Sequence, residues 1–135
     1  MDYQVIYYSK TGHTKKVAEA IASELDVMAE DVSSTDLDAD AMVFLGSGCY
    51  GGNPSKDMTK FILDRDFKSR RVALFGTSGS GEGKEVNEME KILSSKEALI
   101  TGRFFCKGQI LLKNRGRPNE EDLERAREFA RRMKE

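Results

Sequence analysis

Short, continuously apolar runs alternate with amphipathic stretches along this chain, and that alternation leaves few folds open to it. The runs lie at Tyr3 to Tyr8, Ala41 to Gly46, Arg70 to Gly76 and Leu99 to Cys106. Their centres, such as Val5-Ile6-Tyr7 and Val72-Ala73-Leu74-Phe75, do not alternate polar with apolar, which is how strands covered on both faces read. A weaker run, Val27 to Val32, is expected as an edge strand. Helices are expected at Lys15 to Leu25, Ser55 to about Arg65, Glu85 to about Leu93 and Glu120 to about Met133. In the second of these Met58, Phe61 and Ile62 share a face, and in the last Leu123, Ala126, Phe129, Ala130 and Met133 do. Asn119 with Asp122 gives the last helix its start signal. Ser33 to Asp40 has room for only a turn or one helical turn, so one crossover helix is reduced or missing. Strands alternating with helices in this way predict an α/β fold with a parallel sheet and helices on both faces.

A chain of 135 residues with 39% hydrophobic and 33% charged residues suits one globular domain, spanning 1–135, and argues against disorder. A net charge of −1 supplies no overall field for nucleic acid or an acidic membrane. The arginine-rich tail, from Lys113 to Glu135, is interleaved with Glu120, Glu121, Glu124 and Glu128 at helix-pair spacings and reads as a solvated helix face. No apolar stretch reaches membrane length and nothing resembles a leader segment, so the expected location is the cytoplasm. Cys49 and Cys106 form no CxxC or Cys/His cluster and are expected as free thiols, with packing outweighing a redox role for both. With a single histidine, His13, no metal-ligand constellation is present.

Chemistry is concentrated in three segments. Ser9-Lys10-Thr11-Gly12-His13-Thr14 joins the first strand to the first helix. A β-branched strand ending in hydroxyls and a glycine, then opening a helix, offers backbone N–H groups and a positive dipole end to a phosphate. An ordinary strand-to-helix turn with Thr14 as N-cap is the plainer alternative. The third strand leads into Gly46-Ser47-Gly48-Cys49-Tyr50-Gly51-Gly52-Asn53-Pro54, and the fourth into Gly76-Thr77-Ser78-Gly79-Ser80-Gly81-Glu82-Gly83. Glycine this dense costs conformational entropy and suits close backbone approach to a ligand lying across several strand ends. In doubly wound sheets ligands bind beyond those ends, where the winding reverses. Other phosphate motifs fail on detail. Gly46-x-Gly48-x-x-Gly51 follows the wrong strand for a dinucleotide fingerprint, and Gly83-Lys84 lacks both the first glycine and the hydroxyl of a P-loop, with Glu85 in the latter's place. The strand ends carry no aspartates for a phospho-acceptor, and the first loop has no cysteine nucleophile.

The hydroxyl–glycine loop after the first strand, the glycine-rich loops after the third and fourth, and Phe104 to Gly108 with Gly116 to Leu123 resemble a short-chain flavodoxin over essentially the whole chain. The resemblance implies a flavodoxin-like three-layer α/β/α sandwich with a five-stranded parallel sheet in the order 2-1-3-4-5, and non-covalent FMN as cofactor. It implies that Ser9, Lys10, Thr11, Gly12, His13 and Thr14 hold the phosphate, with the N–H groups of Gly12, His13 and Lys15 taking part. Ser47, Gly48, Cys49, Tyr50, Gly51, Gly52 and Asn53 would lie on one face of the flavin ring, and Thr77, Ser78, Gly79, Ser80, Gly81 and Gly83 on the other. Tyr50 would stack on the ring. The Gly51–Gly52 peptide would rotate to accept a hydrogen bond from the reduced ring, stabilising the semiquinone. The implied activity is electron transfer between a reductase and an acceptor protein through semiquinone and hydroquinone states, by a monomer, the protein supplying binding and electrostatics. The chain departs from the family in three ways. Ser80 and its small or polar neighbours stand where many flavodoxins carry an aromatic. The chain lacks their strong acidity. His13 replaces the usual asparagine, either adding a cation to the phosphate site when protonated or standing as a surface histidine without a role. Two alternatives stay open: a flavin reductase of the same fold acting on a quinone or other small acceptor, and a non-redox binding module.

Overall fold

The structure, a computed structural model, describes residues 2–109 and 114–134. Five strands and four helices follow one another as β1 (Tyr3–Tyr8), α1 (His13–Glu24), β2 (Ala29–Asp31), β3 (Met42–Gly48), α2 (Lys56–Asp64), β4 (Arg71–Ser78), α3 (Lys84–Ser95), β5 (Leu99–Lys107) and α4 (Glu120–Met133). A single 3-10 turn, Val32–Ser34, stands where a crossover helix would separate β2 from β3. All strand pairs are parallel, and the order across the sheet is β2-β1-β3-β4-β5.

Successive residues of the central strands feed opposite layers, as the two-residue period of a strand requires. Val5, Phe44, Ala73 and Phe75 pack with α1 and with Ala126, Phe129 and Ala130 of α4. Ile6, Val43, Leu45, Val72 and Leu74 pack on the other side with Met58, Phe61 and Ile62 of α2 and with Val86, Met89 and Leu93 of α3. The sandwich therefore has α1 and α4 on one face and α2 and α3 on the other.

The apolar pattern located every element, but the bounds shift at the end that matters. β3 and β4 each run two residues past the apolar run, taking in Ser47 and Gly48, and Thr77 and Ser78. The ladder explains this: Ser47 pairs with Gly76 and Gly48 with Thr77 in β4, while Ser78 pairs with Lys107 in β5. Helix α1 begins at His13, two residues before the expected Lys15. The edge strand β2 is confined to three residues.

The chain winds from β1 to β2 on one side, then crosses to β3 on the other. The carboxyl ends of β1 and β3 therefore lie side by side at the point where the winding direction changes, with Tyr8 level with Ser47. The three chemistry-bearing loops all leave the sheet at this end.

Candidate functional site

Gly12 decides how α1 begins. It is the N-cap, at φ +93°, a left-handed conformation that glycine adopts without penalty, and no side chain caps the helix. A Cβ on Gly12 would meet nothing within 4 Å, so the space above the first turn is open. No acidic residue sits in that turn. The N–H groups at the head of α1 are thus left without side-chain partners, which is what an incoming anion requires. The plainer expectation of Thr14 as N-cap does not hold, since Thr14 lies inside the helix.

Ser9, Lys10, Thr11, His13 and Thr14 border a cavity of about 60 Å³ against this helix start, with Gly48, Cys49, Tyr50, Thr77 and Ser78 on its far side. The hydroxyls are not equivalent. Ser9 Oγ accepts from the Gly12 N–H at 3.0 Å, shaping the loop while keeping its own proton free to donate. Thr11 Oγ1 meets His13 Nδ1 at 2.7 Å at the exposed lip. Thr14 is buried, and its Oγ1 lies 2.7 Å from Thr77 Oγ1, tying α1 to the end of β4. Ser47 is turned inward: its hydroxyl donates to the Gly48 carbonyl at 2.8 Å and accepts from the Ser55 N–H at 3.0 Å. Ser47 is not among the residues that border the cavity.

After β3, residues 50–53 close a two-residue hairpin. Tyr50 N–H donates to the Asn53 carbonyl at 2.7 Å and Asn53 N–H returns the bond at 3.2 Å, with Gly51 at φ +63° and Gly52 at φ +85° between them. Two consecutive positive φ angles define the turn type in which glycine is favoured at both central positions. Tyr50 leans edge-on against Tyr8, ring centroids 6.0 Å apart, and its hydroxyl covers Gly48, where a Cβ would lie 2.8 Å from it. Its ring therefore folds over the cavity, and its partial burial raises the phenol's pKa above the ordinary range. An open groove of about 870 Å³ continues from Tyr8, Lys10 and Tyr50 past Leu63 and Ile92.

The loop after β4 is held by bonds between its backbone and side chains. Gly81 N–H donates to Ser78 Oγ at 2.9 Å, Glu82 N–H to Ser80 Oγ at 3.3 Å, and Gly79 gives its carbonyl to the Asn114 side-chain amide at 2.7 Å. Gly83, at φ +77°, is the N-cap of α3, again without a side-chain cap.

Several residues here were not singled out from the sequence. Gly108 and Gln109 close the cavity from the loop after β5. Phe105, 41% exposed, lies against Gly83 and supplies an aromatic surface beside the loop that lacks one of its own. Glu85 in the first turn of α3 is fully buried, and neither carboxyl oxygen has a hydrogen-bond partner. Alternation along β5 is the signal that could have exposed Phe105, but Glu85 carried none.

The two thiols differ. Burial pushes the Cys106 thiol up to about 12, so it is an inert core group as its sequence context suggested. Cys49 is half-buried; burial first, and the Glu85 carboxyl second, keep it as a thiol. Among the described residues no group of histidine, cysteine or acidic side chains could hold a metal ion, and no helix is long and apolar enough to cross a membrane.

Residues 4–116 match the flavodoxin domain family. An uncharacterized protein of Methanocaldococcus jannaschii is 35% identical over 141 aligned positions, covering 93% of this chain and 94% of that one. A flavodoxin of Clostridium beijerinckii is 30% identical over 109 positions, covering 72% of this chain and 79% of that one. The solved structure of a flavodoxin from the domain Archaea superposes with a TM-score of 0.77 at 21% identity, covering 96% of this chain and 94% of that one, a likeness of fold. With an uncapped helix start, a hydroxyl-lined cavity and two glycine loops gathered at the switch point of a 2-1-3-4-5 sheet, and with the family matched over most of its length, the chain belongs to the flavodoxins, the FMN-binding electron-transfer flavoproteins.

Proposed function

We propose that this chain is an electron carrier that holds FMN between the head of α1 and the loops after β3 and β4, and passes electrons from a reductase to an acceptor protein. The observation that carries the reading is the open N-terminus of α1: first-turn N–H groups without a side-chain cap, beside the hydroxyls of Ser9 and Thr11, at the one place where all three loops meet. Ser9 and Thr11 donate to the phosphate, the His13 and Thr14 N–H groups bind it along the helix dipole, and Lys10 adds charge from the exposed rim. Thr14, paired with Thr77, fixes the helix against β4 so that the cradle keeps its shape.

FMN supplies the electron chemistry when bound; the residues of the chain place and cover it. Tyr50 turns from Tyr8 to lie on one ring face. The Gly51–Gly52 peptide is free to rotate because neither residue has a Cβ, so its carbonyl can be presented toward the ring edge as an acceptor. The Gly51 carbonyl accepts a long 3.5 Å contact from the Asn53 amide, and the N–H of the same peptide, on Gly52, faces the Cys49 thiol. On the other side the Gly79 to Gly83 loop keeps water from the ring with backbone alone.

Addition of FMN to the purified chain tests the reading. Quenching of flavin fluorescence at one equivalent, with an ordinary flavin visible spectrum and no turnover of NAD(P)H unless a reductase protein is added, is the expected outcome. Absence of binding at saturating FMN leaves a non-redox module instead. The small residues around Ser80, exposed at the ring loop, favour a second reading, a reductase whose small acceptor stacks on the uncovered face. Steady-state oxidation of NAD(P)H with a quinone, without any protein partner, would decide for it.

A further inference from the structure

Glu85 is the second residue of α3, and its carboxyl lies wholly inside the protein, beneath the ends of β3 and β4. The room for it is made by Gly76, where a Cβ would stand 2.1 Å from Glu85 Oε2. Neither oxygen has a hydrogen-bond partner. Two titratable groups from other elements face it, the Cys49 thiol from the loop after β3 and the Cys106 thiol from β5. β4 brings Gly76 and Thr77, neither of which titrates. Lys84, next to Glu85 on α3, turns toward Glu82 at 3.8 Å, Arg103 of β5 is taken by Glu90, and Lys60 of α2 pairs with Asp64 at the surface. Among the described residues no cation is paired with this acid. A carboxylate here would lose its hydration without compensation, so the group keeps its proton above the usual carboxylate range. Burial drives that shift, and the residue's own N–H and the Cys49 thiol, neither placed to make a hydrogen bond to it, pull only against part of it.

We propose that Glu85 is the proton-holding group of the FMN site, an interior acid that makes electron uptake at the ring loops depend on proton uptake from solvent. The proposal rests on the electron-carrier reading. Glu85 stands two residues beyond the loop after β4 and touches, through Cys49, the loop after β3, so it lies under both walls of the ring site. An electron arriving there adds negative charge beside it, and negative charge nearby favours the protonated acid. Over the pH range in which the acid is partly ionised, each electron accepted from the donor draws a fraction of a proton from solvent onto a Glu85 carboxylate oxygen. No bond to the cofactor forms or breaks. The potential of the site therefore falls as pH rises through that range, and levels off once the acid is ionised throughout the redox cycle.

Two measurements test this. In the FMN-free chain, carbon-13 NMR of labelled glutamate side chains should show one carboxyl titrating above the others, and that signal should be missing from Glu85→Gln; a Glu85 that titrates with the surface glutamates overturns the proposal. The wild-type titration stands even if the variant does not fold. In the FMN-loaded protein, the midpoint potential of Glu85→Gln should match wild type at low pH and lie above it at high pH, with a shallower pH slope between; identical profiles overturn the proposal. Failure to bind FMN would overturn the carrier reading together with the coupling. Binding with an ordinary Glu85 would overturn the coupling alone.

Discussion

Gly12 shows how much rests on one residue. Its φ of +93° places the following amides at the head of α1, and a Cβ would meet open space, so substitution costs backbone strain and nothing else. A left-handed non-glycine residue costs about 1–2 kcal/mol. Gly12→Ala should lower Tm by roughly 3–10 °C and weaken FMN binding further than it weakens folding, because relief of the strain moves the N–H groups proposed to meet the phosphate. Calorimetric melting together with fluorescence titration of FMN separates the two effects. This position was legible in the sequence, since a glycine between hydroxyls at a strand-to-helix junction has few other uses. Glu85 was not: an acid at the start of a helix ordinarily reads as a solvated charge favoured by the dipole, and only the missing side chain of Gly76, across the fold, shows that it is enclosed.

At the scale of elements, the start of α4 was the most readable. Asn119 Oδ1 accepts from the Asp122 N–H at 2.9 Å and Asp122 Oδ2 accepts from the Asn119 N–H at 2.9 Å, a reciprocal cap written in the sequence as Asn-x-x-Asp. What the sequence did not disclose is that Arg117 and Arg125 also close on this carboxylate, at 2.6 Å each. Burial works against the charge of Asp122, but Arg117, the Asn119 N–H and Arg125 outweigh it and hold the carboxyl below the usual aspartate range. In the unfolded chain the group protonates near pH 3.9, so its contribution is present above that value and is lost as pH falls through the lower folded value. Asp122→Asn should cost about 1–2 kcal/mol at neutral pH through the lost charge-assisted bonds. Its urea midpoint should converge with that of wild type once pH falls below the folded-state value of Asp122. The strand limits were less readable, because Ser47, Gly48 and Ser78 are poor strand formers alone and Thr77 stands between glycine and serine. They continue β3 and β4 because neighbours on the ladder supply their hydrogen bonds, a long-range effect that overrides local preference.

For the molecule as a whole, the strand order, the layers and the convergence of three loops at one end followed from the alternation of apolar runs and from the resemblance. The posture of Tyr50 did not, because its contact with Tyr8 joins segments some forty residues apart. A ligand that binds only the folded state stabilises it by about 2.7 kcal/mol at one hundred times its dissociation constant. FMN at that excess should raise Tm by roughly 5–15 °C, while riboflavin, which lacks the phosphate, should raise it much less. Equal shifts for the two compounds would place the binding energy away from the head of α1.

The two borders of the sheet also set how this molecule behaves toward copies of itself. On one side β2 offers only Ala29–Asp31 before the chain turns away behind the Asp31 side chain, too short a template for a neighbouring strand. On the other, β5 carries a register irregularity opposite Val72 and Ala73 and sets charged Arg103 and Lys107 along its outer stretch. Both features discourage strand-to-strand pairing between copies through the described edges of the sheet.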